Sequence, residues 1–587
     1  MKKERKQRMA LQAARKNLEQ VRQGAARSGR RSLLHHEMVI RGQLRKLKAI
    51  PPGISPEYQT VFNSYETLLD DVSRRLLDHY NEKHHTAYVF EEVVAGRRES
   101  YRDTGILSVL LTTHIPQMVS AEFARLLPED PGQEYPAARQ CRRHFCLHLG
   151  DTNTGKTYQA LRRLREAGSG AYLAPLRILA LENFERLNRE GVPCDLLTGE
   201  EEVRVPGAQH LCCTVEKAAL DCQYDVAVID ETQLTADSQR GDAWTRAILG
   251  LQCPEIHLCG AVLAKEQITG MIDRCGDTWE LKTYTRQVPL QVMRRPVKLT
   301  EPEPGDAYVA FSKRRVLAMA QQFRRQGVPA SVIYGDLPPE VRRTEYDRFI
   351  SRENPVLIAT DAIGMGVNLP IRRVIFADAE KFDGEMVRPL TSQEVKQIAG
   401  RAGRIGIFDV GYVGALERDA LEFLEEQLHS EDMPIEQAVV GPSEAILKIG
   451  LLPLQQKLAL WSARPEALSC YRKKDVRNEL LVLDLLRPYH LPEAVEWRLM
   501  TLPFDVENEH LMAQFESYVQ EHFVHGRMEM IRPLPPGPTR ADYEVYYQQI
   551  GLYYAFCKNM GLPLDEQWVS AARAQVSAHI RKLMERA

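Results

Sequence analysis

No run of about eighteen apolar residues occurs anywhere in the chain, which excludes a membrane-spanning helix. The first residues lack the apolar stretch of a secretory signal. The eleven cysteines include no C-x-x-C pair and no Cys/His spacing suited to structural zinc. An odd number without a secretory signal implies reduced, buried thiols. Net charge is small, −2, and alone indicates no polyanionic partner. That balance hides an asymmetry. Residues 1–50 carry fifteen Lys/Arg against three acids, a basic arm expected to be helical or partly disordered. These features lead us to expect a cytoplasmic protein, with the mitochondrial matrix as the alternative because the arm is Arg-rich and acid-poor.

What is present points to several domains, since 587 residues exceed one hydrophobic core. After the breaker "PPGISP", the helical spacing of Val61, Tyr65, Leu68, Leu69, Val72 and Leu76 predicts a helical N-terminal domain over 51–138. From about 142, short apolar runs alternate with longer amphipathic ones, the pattern of βαβ units and a parallel sheet. The alternation restarts near 305 with "DAYVAFS". We therefore expect two tandem α/β domains, 139–295 and 296–445, and a helical C-terminal domain, 446–587, in which strands vanish.

"GDTNTGKT" comprises Gly150, Asp151, Thr152, Asn153, Thr154, Gly155, Lys156 and Thr157, and fits G-x-x-x-x-G-K-[ST] without a gap. Such a loop turns its amides toward phosphate oxygens. Lys156 is expected on the β- and γ-phosphates and the Thr157 hydroxyl on Mg²⁺. The loop follows the strand-like "FCLHL" and precedes a helix-like run, the context this chemistry needs. Further on, "YDVAVIDETQ" ends an apolar run in two carboxylates. A buried strand that ends at the ligand crevice makes Asp230 the second candidate metal ligand and Glu231 the base for an attacking water.

"QIAGRAGRIG" sets Gln397, Arg401 and Arg404 among small residues. On a helix the two arginines would share a face. The interleaved glycines, costly in a helix, imply close approach to something. Arginines delivered to a transferring phosphate from a second domain stabilise its developing charge. "VLIATDAIGMGVNLP" reads as a buried strand and a Gly-rich loop, suited to touching a phosphate or a nucleic-acid backbone.

In this order the segments resemble a superfamily 2 helicase, with two RecA-like P-loop domains and the ATP site in the cleft between them. The nearer resemblance is to the Suv-three-type RNA helicases of the mitochondrial degradosome and their bacterial relatives. "EYPAARQCRRHFCLHLGDTNTGKT" looks like that family's approach to motif I, "YLAPLRILALE" like motif Ia and "LLTGEE" like Ib. "VIDETQ" resembles its Asp-Glu-x-Gln form of motif II, and "HLCGA" the stretch leading into motif III. "VAFSKR" resembles motif IV, "ATDAIGMGVNLPIRRVIF" motif V and "QIAGRAGR" motif VI.

The resemblance implies NTP-driven 3′-to-5′ movement on RNA, with DNA and RNA–DNA hybrids as further substrates, ATP or another NTP as fuel, Mg²⁺ as cofactor and an exoribonuclease as partner. It implies that Pro175, Arg177, Thr198, Gly199 and Thr214 of the first α/β domain, and Ser312, Lys313 and Thr360 of the second, line the polynucleotide. Gly364 and Asn368 would meet the nucleotide, while Gln397, Arg401 and Arg404 sense or stabilise its γ-phosphate. Gln233, Gly260 and Asp361 would couple the two sites, Gln233 by linking the nucleotide site to motif VI.

Two residues depart from the family pattern. Asp151 stands where proline is usual after the first glycine, and Thr232 where an apolar residue is usual. "EKFDGEMVR" reads as a short hairpin around an Asp-Gly turn, either a strand-separating pin or a mere connection. Three other readings are a translocase that does not separate strands, a non-catalytic RNA-binding scaffold and a P-loop small-molecule kinase. The last leaves the second α/β domain unexplained.

Overall fold

The structure, a computed structural model, describes residues 2–26, 30–84, 86–364, 369–382, 386–450 and 452–586. The chain divides into two units, Met1–Leu126 with Lys448–Leu452, and Leu127–Leu447 with Pro453–Ala587.

In the first unit, α1 (Lys2–Ala26) and α2 (Arg30–Lys48) pack with α3 (Tyr58–His84). The segment expected as a separate basic arm is thus part of a helical bundle. Leu11, Ala14 and Ala25 of α1 and Leu33, Ile40, Leu44 and Leu47 of α2 are buried, as are Tyr65, Leu69 and Val72 of α3. The Tyr65 hydroxyl donates to the Ala14 carbonyl at 2.7 Å. Several basic side chains of the segment take part in this packing. Arg41 and Arg45 both donate to the Asp103 carbonyl at 2.6 Å, and Arg15 pairs with Glu57 at 2.7 Å. Buried Glu37 accepts from the Ser73 hydroxyl and the Ile106 amide, both at 2.9 Å.

The second unit holds two sheets. The first has the order β4-β3-β5-β2-β6-β7-β1-β8. Its strands are β1 (His144–Gly150), β2 (Gly170–Ala174), β3 (Cys194–Leu197), β4 (Glu202–Val203), β5 (His210–Thr214), β6 (Val226–Ile229), β7 (Glu255–Gly260) and β8 (Thr278–Tyr284). All neighbours are parallel except β3 and β4. The helices α4 (Lys156–Glu166), α5 (Arg177–Arg189) and α6 (Gly241–Gly250) lie between these strands in sequence. Val226, Ala227, Val228 and Ile229 have no solvent exposure. Burying each larger member of such a set contributes about 1.5–3 kcal/mol, which fixes where Asp230 emerges.

The second sheet, β11-β12-β10-β13-β16-β9, is parallel throughout. It comprises β9 (Leu290–Val292), β10 (Asp306–Val309), β11 (Ala330–Ile333), β12 (Val356–Ala359), β13 (Arg373–Phe376) and β16 (Gly411–Ala415). The helices α7 (Lys313–Arg325) and α8 (Pro339–Ile350) connect its strands in sequence. Two sheets in tandem beside helical segments give the two α/β domains expected from the alternation, in the RecA-like architecture that the resemblance implies. The strands β14 (Glu380–Phe382) and β15 (Val387–Pro389) form the antiparallel arms of a hairpin; the Asp383–Gly384 turn lies outside the described residues. Ser392–Ala399 forms α9, begun by a capping box between Thr391 and Glu394.

Strands do not vanish after 445. Tyr471–Lys473, β18, pairs in parallel with β17 (Ala438–Val440), and Ala438, Val440 and Tyr471 join the core around Trp244 and Ile248 of the first α/β layer. A three-residue strand is too short to display alternation in sequence. The chain ends in two packed helices, α10 (Arg540–Met560) and α11 (Glu566–Arg586).

Candidate nucleotide site and nucleic-acid track

The loop 150–157 joins the carboxyl end of β1 to α4, whose first residue is Lys156. Gly155 takes φ +80° and Asn153 φ +63°, the left-handed region that lets consecutive amides face one way. Gly150 has no room for a side chain, since a Cβ there would lie 2.1 Å from the Tyr284 carbonyl oxygen. The Lys156 ammonium donates to the carbonyls of Gly150, 2.9 Å, and Asp151, 3.2 Å. The Asp151 side chain is exposed, which spares the loop a buried negative charge.

Asp230 follows β6 and is buried. One carboxylate oxygen accepts from the Thr157 hydroxyl at 3.1 Å and from the Glu231 amide at 3.0 Å; the other accepts from the Tyr172 hydroxyl at 3.2 Å. Trp244 fixes the backbone here, donating through Nε1 to the Asp230 carbonyl at 2.9 Å. Burial raises the Asp230 pKa and the adjacent Glu231 charge adds to this, with Lys156 opposing. The oxygens of Thr157 and Asp230 form a hard donor pair beside the phosphate loop. That pair fits a magnesium-like cation. Glu231 itself takes φ +53°, an unfavourable backbone for a non-glycine residue.

Gln233 holds that carboxylate. Its amide nitrogen donates to Glu231 at 2.5 Å, and its amide oxygen accepts from the Ala261 backbone at 3.1 Å. These two bonds link the base to motif III. Gly260 makes this possible, since a Cβ there would stand 2.2 Å from Thr232 Oγ1 and 3.1 Å from Gln233 Oε1. Thr232 is wholly buried and donates to the Cys259 carbonyl at 3.3 Å, so the hydroxyl at this departure from the family pattern also stitches motif II to motif III.

The arginine segment meets the phosphate loop directly. Asn153 donates to the Gly403 carbonyl at 3.0 Å. Gly400 is close enough to Thr152 that an added Cβ would lie 2.8 Å from its Cβ. The close approach expected from the glycines is thus to the first domain's loop. Arg401 and Arg404 do not share a helical face, because α9 stops at Ala399 and the backbone turns through Gly403 at φ +72°. Arg401 donates through Nε to the Gly364 carbonyl at 3.1 Å. Burial lowers its pKa, against the pull of Glu231, Tyr346 and Asp230. Gln397 flanks Gly364, lying 3.8 Å from where a Cβ on that glycine would sit. Asp361, three residues earlier, pairs with Lys381 of β14 at 3.4 Å. Asn368 lies outside the described residues.

Pro175, Thr198, Gly199 and Thr214 cluster at the carboxyl ends of β2, β3 and β5, and Ser312, Lys313 and Thr360 follow β10 and β12. This is where an open parallel sheet presents its crevice. Ser312 caps α7, accepting from Arg315 at 3.2 Å, and the Thr360 hydroxyl accepts from Ala362 at 3.4 Å. The Pro175 carbonyl accepts from Arg240 at 2.6 Å. Arg177 and Lys313, the two cations expected on phosphates, already have carboxylate partners. Arg177 pairs with Glu200 at 2.7 Å, Glu201 at 3.1 Å and Glu340 at 3.6 Å, and donates to the Tyr547 hydroxyl at 3.2 Å. Lys313 pairs with Asp336 at 2.9 Å and with buried Glu544. The C-terminal helices thus supply partners on this face, and Pro503 lies against Gly199.

Two participants escaped the sequence reading: Tyr172 and Trp244. For Tyr172 and Trp244, the contacts form only once β2 and α6 flank β6.

Residues 131–284 match the DEXQ-box helicase domain of Suv3, and residues 291–406 match the helicase conserved C-terminal domain. The mitochondrial DExH-box ATP-dependent RNA helicase DExH16 of Arabidopsis thaliana is 44% identical over 465 residues, 76% of this chain and 81% of that one. The mitochondrial ATP-dependent RNA helicase SUV3 of rice is 42% identical over 56% of each chain. Human SUPV3L1, also named as a mitochondrial ATP-dependent RNA helicase, is 41% identical over 53% of this chain and 42% of its own. The match therefore spans most of the first relative and about half of the others. With these sequence matches and the assembled nucleotide site, the chain belongs to the Suv3-type ATP-dependent RNA helicases of superfamily 2.

Proposed function

We propose that this helicase hydrolyses ATP at the junction of the phosphate loop, the Asp230–Glu231 pair and the arginine segment, and uses the cycle to move 3′-to-5′ along RNA and separate duplexes. The observation that carries the reading is the Asn153 hydrogen bond to Gly403, 3.0 Å, which joins the loop of Arg401 and Arg404 to the loop of Lys156.

In this reading the amides of 150–155, with Lys156, bind the β- and γ-phosphates. Thr157 and Asp230 would hold Mg²⁺, which when bound neutralises phosphate charge. Glu231 orients a water whose oxygen forms the new bond to the γ-phosphorus while the bond to the β,γ-bridging oxygen breaks; Glu231 receives the water's proton. Arg401 and Arg404 stabilise the charge on the transferring group, and Gln397 and Gly364 line the same wall. Gln233, Gly260 and Asp361 carry the nucleotide state toward the polynucleotide.

RNA follows the carboxyl ends of both sheets, past Pro175, Thr198, Gly199, Thr214, Ser312 and Thr360, chiefly by phosphate and sugar contacts that carry little sequence information. The direction of movement, action on DNA and an exoribonuclease partner rest on the motif resemblance alone. The relatives' names favour the mitochondrial alternative over a cytoplasmic location. No helix among the described residues is long and apolar enough to cross a membrane.

The test is ATP turnover with and without single-stranded RNA. Stimulation by RNA that Lys156→Ala removes supports the reading; equal turnover in both conditions contradicts it.

A further inference from the structure

The two sheets of the second unit are joined by the short segment between β8, ending at Tyr284, and β9, beginning at Leu290. Arg286 lies in it. Its guanidinium gathers four backbone carbonyls from three segments. It donates to Val288 of its own segment at 2.6 Å, to Thr152 of the phosphate loop at 3.4 Å, and to Gly400 at 2.7 Å and Ala402 on either side of Arg401. The Gly400 and Ala402 carbonyls lie where α9 has ended and helical hydrogen bonding no longer satisfies them. One planar fork with five N–H groups can reach all four, whereas an ammonium is a point donor on a flexible stem.

We propose that Arg286 is a positioning residue for ATP hydrolysis: from the connection between the two sheets it sets the placement of the Arg401–Arg404 loop against the phosphate loop. It touches neither the nucleotide nor the reacting atoms. Residues 285–289 are the direct connection from the first sheet to the second, so the same side chain ties that connection to the arginine segment. Burial lowers its pKa, while Asp151 on the phosphate loop favours the cation. The inference rests on the reading that Arg401 and Arg404 serve the γ-phosphate.

The experiment compares RNA-stimulated ATP turnover and ATP affinity in the full chain for Arg286→Ala, Arg286→Lys, Arg401→Ala and the Arg286→Ala/Arg401→Ala double variant, each with a melting temperature. Misplacing a transition-state group by about 1 Å costs about a hundredfold. We expect a kcat loss of that order in both Arg286 variants, an unchanged ATP dissociation constant, and a double variant no slower than Arg401→Ala. That non-additivity distinguishes positioning from general loss of structure. Arg286→Lys keeps the charge, so its failure to restore kcat identifies the fork as the requirement. A crippled Arg401→Ala beside an Arg286→Ala or folded Arg286→Lys of normal kcat overturns this inference alone, as do multiplicative losses in the double variant. Normal turnover in Arg401→Ala overturns the finger assignment, and this inference with it.

Discussion

The Gln233 side-chain amide donates to the Glu231 carboxylate at 2.5 Å, while its oxygen accepts from the Ala261 backbone at 3.1 Å. One side chain therefore spans motif II and motif III and aims the base. Glu231→Gln is expected to lower RNA-stimulated kcat by about 10²–10⁴-fold with ATP affinity retained. Gln233→Ala gives a smaller kcat loss, again with little change in KM, because an orienting bond is lost rather than the base. Steady-state kinetics check both; a normal kcat in Glu231→Gln contradicts the base assignment.

Arg177 is expected to matter more for stability than for RNA affinity. It is the shared cation of Glu200, Glu201 and Glu340, and its removal takes an ion-pair partner from each, leaving Glu200 only its pair with Arg573 at 3.5 Å. Arg177→Met should lower the melting temperature. The slope of log Kd for single-stranded RNA against log salt should change by less than about 0.7, the increment of one phosphate contact. A change of that size with normal melting would return Arg177 to the polynucleotide track.

Stability below neutral pH should depend on His148. Its ring bonds to Tyr284 at 2.7 Å and to His257 at 2.8 Å. Burial lowers its pKa from 6.5 to about 4, and His257 and Lys282 act in the same direction. The unfolded chain then takes up a proton before the folded one does. The stabilisation is present above pH 6.5 and is lost as pH falls from there toward about 4. Thermal melts from pH 7 to pH 5 should show a falling midpoint, with a shallower fall in His148→Gln. An equally steep fall in both proteins contradicts the assignment.

The nucleotide site was legible where its chemistry is local in the chain. Gly150–Thr157 is one loop and Asp230–Gln233 one strand end, so their side-chain types and flanking texture are readable along the sequence. Contacts arriving from distant segments were not. Glu340 and Tyr547 reach Arg177 from other parts of the unit, and Ala261 reaches Gln233 from the end of β7. The glycines of the arginine segment did signal a close approach, but not its partner or that α9 stops before Arg401. The packing of the basic N-terminal segment was not legible because two of the buried residues of α1 are alanines, Ala14 and Ala25, which mark a core-facing stripe only weakly among charged neighbours. At fold level, alternating texture was enough to show two parallel α/β layers, but not the three-residue β18 that returns to the first of them.

The most direct test of ATP-driven 3′-to-5′ strand separation is the unwinding of RNA duplexes bearing a single-stranded tail at either the 3′ or the 5′ end, with Lys156→Ala as control. The account predicts ATP-dependent opening of the 3′-tailed duplex by the wild-type chain, none with Lys156→Ala, and little of the 5′-tailed one. Failure to open the 3′-tailed duplex in ATP, or equal opening by Lys156→Ala, would contradict it.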